Sequence, residues 1–215
     1  MAHFDAVLFD LDGTLIDSVD LIVDSYRHVF AVHSIPALSR DEIMAGVGTP
    51  LRSVFNTMTS DPDEITAWIA TYREYNLAHH DARVHAYDGV VAMIHAIHDA
   101  VIPLGLVTSK NHAGAVRGLT LVGIGDAMDV IIGADDVTHP KPHPEPVLAA
   151  LAALGVSASR AVFIGDSHHD IHAGCAAHVT TVGVTWGPFD RAHLAAARPD
   201  HFCDTPAELL QLIGI

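Results

Sequence analysis

F-D-A-V-L-F-D-L-D-G-T, Phe4–Thr14, sets a short apolar run against an abrupt acidic turn. A β-capable run with hardly a polar break suits a parallel strand buried on both faces better than a half-exposed one. Similar runs recur at Pro103–Val107, Val130–Gly133, Ala161–Ile164 and Val179–Val184. Helical stretches separate them. Asp88–Ala100 sets Val91, Ile94, Ile97 and His98 on one face, and Asn111 is placed to cap a helix over Ala113–Val122. Pro144 sits where the first turn of a helix over Glu145–Leu154 would start, and T-P-A-E at Thr205–Glu208 reads as a capping box with proline at its first position. Strand and helix alternate from about Tyr87 to the C-terminus, which predicts an α/β fold built on a doubly wound parallel sheet.

The rhythm breaks between Ser18 and Val84. That stretch holds no convincing strand, but S-R-D-E at Ser39–Glu42 and D-P-D-E at Asp61–Glu64 both resemble capping boxes. It reads as a small helical insert, residues 18–84, in a core made of residues 1–17 and 85–215. The proline-dense H-P-K-P-H-P-E-P at His139–Pro146 reads as a rigid, extended loop.

The 215 residues suit one domain with a modest insert, and half of them are hydrophobic, so a sizeable core is expected and global disorder is excluded. Acidic residues outnumber Lys and Arg by 26 to 11, for a formal charge of −15. Such a surface repels phosphate backbones and anionic lipid, which argues against nucleic-acid or membrane partners. Protonating all 17 histidines would carry the charge from −15 to +2, so solubility is expected to fall near the isoelectric point of 5.4. Two cysteines, Cys175 and Cys203, make no disulfide framework. M-A-H-F-D-A-V-L-F-D lacks the basic region of a signal peptide, and no apolar run approaches the ~18–20 residues that cross a bilayer. A cytoplasmic location is the expectation.

The chemistry concentrates at strand ends. Asp10 and Asp12 are two apart, so period-2 geometry points both carboxylates to one side with Cα atoms ~6.5–7 Å apart. Ligands of open α/β sheets bind at the carboxyl ends of strands. Gly13 lets the backbone turn sharply and Thr14 adds a hydroxyl; alone, D-x-D-G-T would equally fit an acidic turn. V-T-S-K, Val107–Lys110, supplies the Thr108 hydroxyl and the Ser109 N–H at a helix entrance, suited to phosphate oxygens or to simple capping. Lys141, fixed between prolines, offers a cation, although a solvated loop lysine reads the same way. G-D-S-H-H-D, Gly165–Asp170, brings Asp166 and Asp170, the first of which could merely cap the next helix. Together Asp10, Asp12 and Asp166 form an oxygen-rich cluster that suits Mg²⁺, and a lysine with a hydroxyl beside it would complete a phosphoryl site.

Four motifs in this order and spacing resemble the haloacid dehalogenase superfamily of phosphohydrolases, over nearly the whole chain. The resemblance implies a Rossmann-like core with the helical insert as a mobile cap. It implies Asp10 as the nucleophile that becomes an aspartyl-phosphate, and Asp12 as general acid and then base. Thr108 and Lys141 would hold phosphoryl oxygens. Mg²⁺ would sit on Asp10, Asp166 and the backbone carbonyl of Asp12, with Asp170 supporting the metal waters or Lys141. The second aspartate of D-x-D argues against true dehalogenases, which do without it. V-T-S-K followed by V-T-W-G at Val184–Gly187 resembles phosphoglycolate phosphatases and their pyrophosphatase relatives. The expected activity is hydrolysis of a small phosphomonoester, with phosphoglycolate first; alternatives are a pyrophosphatase or a phosphosugar mutase of the β-phosphoglucomutase kind. The expected assembly is a monomer or homodimer. Y-D-G-V at Tyr87–Val90 departs from the family's usual proline before that glycine. Arg52, in G-V-G-T-P-L-R of the insert, is a candidate for an anionic group of the substrate or a solvent-facing arginine.

Other signals read as structural. His168, His169 and His172 have zinc-like spacing but lack a third ligand. His79 and His80 read as solvated, Cys175 as a buried thiol, and Trp186 as packing beside the site.

Overall fold

The computed structural model describes residues 4–215; Met1–His3, where the signal-peptide reading begins, lie outside them. The chain divides into two compact units, one made of the stretch up to Asp17 with His85–Ile215, the other of Ser18–Val84.

The second unit is helical: α1 (Val19–Val32), α2 (Arg40–Met44), α3 (Leu51–Asn56) and α4 (Pro62–Arg83). Ser39 and Glu42 bond reciprocally, a full capping box. Asp61 accepts from the N–H groups of Asp63 and Glu64 and so caps α4, but the box is not closed. The Thr59 hydroxyl intervenes, donating to Glu64 at 2.6 Å and accepting from the Asp61 amide at 3.2 Å. Aromatic rings form the core of this unit: Tyr26 lies 5.0 Å from Tyr72 and 5.6 Å from Phe55, which in turn lies 5.5 Å from Trp68. His80 is buried rather than solvated, because Ile65, Ile69, Tyr72 and Asn76 lay down an inward stripe at helical spacing and His80 continues it. His79, one step round, is exposed and stacks on Tyr75.

The first unit carries β1 (Ala6–Phe9), β2 (Ile16–Asp17), β3 (His85–Ala86), β4 (Leu104–Val107), β5 (Val130–Ile132), β6 (Ala161–Gly165), β7 (Thr180–Val184) and β8 (His201–Cys203). Six of them form a parallel sheet in the order β5-β4-β1-β6-β7-β8, and β2 pairs with β3 antiparallel. Its helices are α5 (Val90–Asp99), α6 (His112–Leu121), α7 (Glu145–Leu154), α8 (His168–Ala176), α9 (Arg191–Ala195) and α10 (Pro206–Ile213). This is the doubly wound parallel sheet expected from the alternation. Every residue of β1 and β6 is buried, the condition that apolar runs without alternation demand. On one face Leu8 and Phe163 pack with Val147, Ala150 and Leu151 of α7, each large side chain gaining ~1.5–3 kcal/mol from burial.

Four local expectations shift. The buried face of α5 is Val90, Met93, Ile94 and Ile97, while His98 is exposed and Val91 half-buried, because the helix starts at Val90 after a left-handed Gly89. Cys175 is exposed, because α8 turns Asp170, Ile171, Ala173 and Gly174 inward and the next position points out. Asn111 stands at the start of α6 without a side-chain cap bond. Thr205 caps α10 through the Glu208 N–H at 3.2 Å, but the Glu208 carboxylate turns to the Asp204 amide at 2.8 Å. Among the described residues no helix is long and apolar enough to cross a membrane.

Candidate active site

Register sets the site. Phe9 stands opposite Leu106 of β4 and Ile164 of β6, so the three strands end nearly level. Asp10, Thr108 and Asp166 therefore leave the sheet at one edge. β1 lies between β4 and β6, where chain order runs outward in both directions, which is where such sheets open a crevice. After Asp12 the backbone passes through Gly13 at φ +94°, and a Cβ there would stand 2.3 Å from an Asp166 carboxylate oxygen. Only glycine lets the acidic turn and Asp166 approach this closely.

Lys141 is buried among these acids. Its Nζ donates to Asp10 Oδ1 at 2.7 Å, to Asp170 Oδ1 at 2.6 Å and to the Val107 carbonyl at 3.1 Å. Three protons thus meet three acceptors. Its loop is a chain of turns rather than the extended segment expected, with the His143 amide closing back on the Pro140 carbonyl at 3.0 Å and a cis bond before Pro142. With this turn the Lys141 side chain is buried.

Asp170 is held from its other side. Its Oδ2 accepts the Ser167 hydroxyl at 2.6 Å and the Ser167 amide at 3.0 Å, a capping box that starts α8. Ser167, not Asp166, is therefore the helix cap. Gly165 makes this possible, since a Cβ at that position would meet the Asp170 side chain at 2.3 Å. Asp166 accepts the Thr14 hydroxyl on Oδ1 at 2.8 Å. Its Oδ2 is buried and has no hydrogen-bond partner among the described residues.

The carboxylate oxygens of Asp10, Asp166 and Asp170 converge within 4.8 Å of one another. Three buried acids face one ammonium. Burial pushes Asp10 up most, Lys141 pulls it back, and Asp170 and Asp12 add to the rise, leaving it at about 7. Burial, followed by Asp170 and Asp10, raises Asp166 well above the usual carboxylate range. Burial would lower Lys141, but Asp10 and Asp170 outweigh it and hold the ammonium charged. Excess negative charge, an all-oxygen donor set and an unpartnered Asp166 oxygen fit a hard divalent cation.

Asp12 is half-buried, and its carboxylate accepts Lys110 Nζ at 2.8 Å. Lys110 had no role in the sequence reading, although it closes the V-T-S-K motif and the motif itself was the available signal. The Thr108 hydroxyl is buried and accepts the Lys110 amide at 3.2 Å; Ser109 beside it is half-buried. Trp186 does more than fill space, since its indole N–H donates to the Thr14 carbonyl at 2.9 Å and pins the acidic turn. Of the histidines on α8, the His168 and His169 rings lie 4.0 Å apart, tilted at 38°, and burial followed by His168 lowers His169 to about 4. Arg52 stands exposed on α3 of the second unit.

The sequence pattern of the haloacid dehalogenase-like hydrolases matches residues 7–184. The pyrophosphatase PpaX of Anoxybacillus flavithermus is 38% identical over 99% of this chain and 98% of its own. Among solved structures, a haloacid dehalogenase-like hydrolase of Bacteroides fragilis superposes with a TM-score of 0.89 at 28% identity, covering 96% of this chain and 99% of that one. A protein described as a phosphoglycolate phosphatase of Lactobacillus plantarum gives 0.87 at 26% identity, covering 98% and 99%.

Proposed function

The chain belongs to the haloacid dehalogenase-like hydrolase family and is a phosphatase of that family; we propose that it splits a small soluble phosphate compound through an aspartyl-phosphate on Asp10. The observation that carries this reading is the position of Lys141, bonded at once to Asp10 and Asp170 beside the unpartnered oxygen of Asp166.

In the proposed reaction an Asp10 carboxylate oxygen attacks phosphorus as the bond to the leaving oxygen breaks, and Asp12 gives that oxygen a proton. Water then attacks the aspartyl-phosphate, Asp12 takes its proton, and Asp10 is released with inorganic phosphate. Lys110 keeps Asp12 turned toward the crevice. Lys141 offsets charge on the phosphoryl oxygens, with the Thr108 hydroxyl and the Ser109 amide as further donors. Asp170, with Lys141 on one oxygen and Ser167 on the other, holds the lysine in place. Asp10, Asp166 and the Asp12 backbone carbonyl would hold Mg²⁺, which supplies positive charge against the phosphoryl group.

For the substrate, inorganic pyrophosphate is supported by the 38% identical relative, which matches end to end. Lys110, beside the proton donor, suits a leaving group that is itself a phosphate. Phosphoglycolate is the second reading, supported by the description of the Lactobacillus plantarum structure.

A panel holding pyrophosphate, phosphoglycolate and a hexose 1-phosphate, read by phosphate release with and without EDTA, tests the proposal. Pyrophosphate is expected to give the highest kcat/KM, with activity lost in EDTA and restored by Mg²⁺. Hexose isomerisation without phosphate release would make the protein a mutase. Asp10→Asn is expected to remove turnover while keeping the fold, and near-wild-type turnover in that variant would end the assignment.

A further inference from the structure

H-P-K-P-H-P-E-P places a proline after each of His139, Lys141, His143 and Glu145. Lys141 faces the buried acids, while His139 and His143 are exposed on the other side of the loop and Glu145 is half-buried beside them. Neither histidine nor Glu145 has a part in the proposed phosphatase chemistry, yet the three converge. His139 Nδ1 lies 2.7 Å from Glu145 Oε2, and His143 Nδ1 lies 3.9 Å from the same oxygen. The two imidazole rings stand 4.7 Å apart at 36°. One potential ligand atom from each residue falls within 4.8 Å of the others.

We propose that His139, His143 and Glu145 form a second metal site, for a zinc-class transition ion, on the outer face of the loop whose inner face carries Lys141. Two imidazole nitrogens and one carboxylate suit Zn²⁺, Co²⁺ or Ni²⁺, whereas the all-oxygen cluster at Asp10 and Asp166 suits Mg²⁺. The two sites thus differ in the ions they prefer. The donors are close to working distance, since tetrahedral zinc holds neighbouring ligand atoms about 3.3 Å apart; His143 Nδ1 accepts the Glu145 amide at 3.2 Å and would exchange that bond for the metal.

The site is also pre-organised. Pro140, Pro142 and Pro144 remove backbone freedom between the ligands, so little conformational entropy remains to be lost on binding. Glu145 is fixed by the Thr138 amide on Oε1 at 2.8 Å and the His139 amide on Oε2 at 3.0 Å. Those bonds, with the His139 ring, hold it below the ordinary glutamate range and therefore ionised. His139 donates its Nδ1 proton to Glu145 at 2.7 Å. Binding moves that proton to Nε2 and puts the metal between the two, with no net change in protonation. The ion then staples residue 139 to residue 145 around Lys141.

The test uses the full chain without an affinity tag, in millimolar Mg²⁺ so that the acidic cluster is supplied. Co²⁺ titration is expected to develop visible d–d absorption for one equivalent, with Zn²⁺ displacing it. Zn²⁺ should raise Tm through preferential binding to the folded state. His139→Ala/His143→Ala is expected to weaken Co²⁺ binding at least tenfold and to abolish the Tm shift while keeping basal phosphate release, which also shows that the variant is folded. His139→Gln alone serves as a milder check on the same absorption. Absence of Co²⁺ absorption in the wild type, or absorption undiminished in the double variant, overturns the proposal. Retention of binding in Asp166→Asn separates this site from the acidic cluster, and its loss there would also overturn the proposal.

Discussion

Asp12 and Lys110 form a pair whose two members differ in what they put at risk. Asp12 is proposed to move protons itself, so Asp12→Ala is expected to lower kcat by ~10²–10⁴-fold. Lys110 moves no proton; it orients Asp12 through a 2.8 Å bond. Lys110→Met is therefore expected to cost about 1.5–3 kcal/mol of that bond, roughly 10–150-fold in rate, and a measurement of kcat for both variants on one substrate compares them. Lys141 is a different case. It is the only ammonium bonded to Asp10 and Asp170 among the described residues, and its loss would leave two buried acids facing each other. Lys141→Ala is expected to destabilise the metal-free fold by about 3–5 kcal/mol, read by chemical denaturation, besides abolishing activity.

At the scale of elements, α8 is built on the same atoms as the site. Ser167 starts the helix and steadies the carboxylate that holds Lys141. Ser167→Ala is expected to cost about 1 kcal/mol as a lost cap and also to lower kcat, because Asp170 gains freedom; an unchanged kcat beside a lowered Tm would separate the two roles. The sequence announced the strands that carry the site because each is a short apolar run ending in Asp, Thr or Gly, a signal confined to a few neighbours. β8 did not stand out, having three residues of which His201 is exposed and Phe202 half-buried. Long-range pairings were also hidden. Nothing local to V-T-S-K says that Lys110 meets a carboxylate 98 residues earlier, or that the Thr59 hydroxyl would take both partners of the expected box at Asp61. The inward turn of H-P-K-P is not legible for a related reason, since prolines restrict a chain without saying which way it bends.

For the molecule as a whole, the acids of the site make stability depend on pH and on cation. Asp10 is raised from 3.8 to about 7 in the fold. Between those values the folded state binds more protons than the unfolded one, so Asp10 withdraws stability as pH rises, by at most about 1.4 kcal/mol per unit. His169, lowered from 6.5 to about 4, acts in the opposite sense as pH falls through that range. Subtracting one protein from another isolates the first effect. In metal-free protein, the stability advantage of Asp10→Asn over wild type is expected to grow from pH 4 to pH 7, and Mg²⁺ should erase most of it. A constant difference across that range, measured by urea denaturation, would contradict the raised Asp10.

The paired strands β2 and β3 have a consequence for the architecture. Asp17 and His85 stand opposite each other in that pairing, so Ser18–Val84 departs from and returns to one spot, as the tip of a hairpin does. To the parallel sheet the entire helical segment is a single enlarged turn, and the closure entropy of such a loop grows only with the logarithm of its length. The segment can therefore be lengthened, replaced by a graft from another protein or cut down to a tight turn without altering any strand register. A lineage could in this way exchange its helical cassette while the acids at the sheet's edge stay where they are.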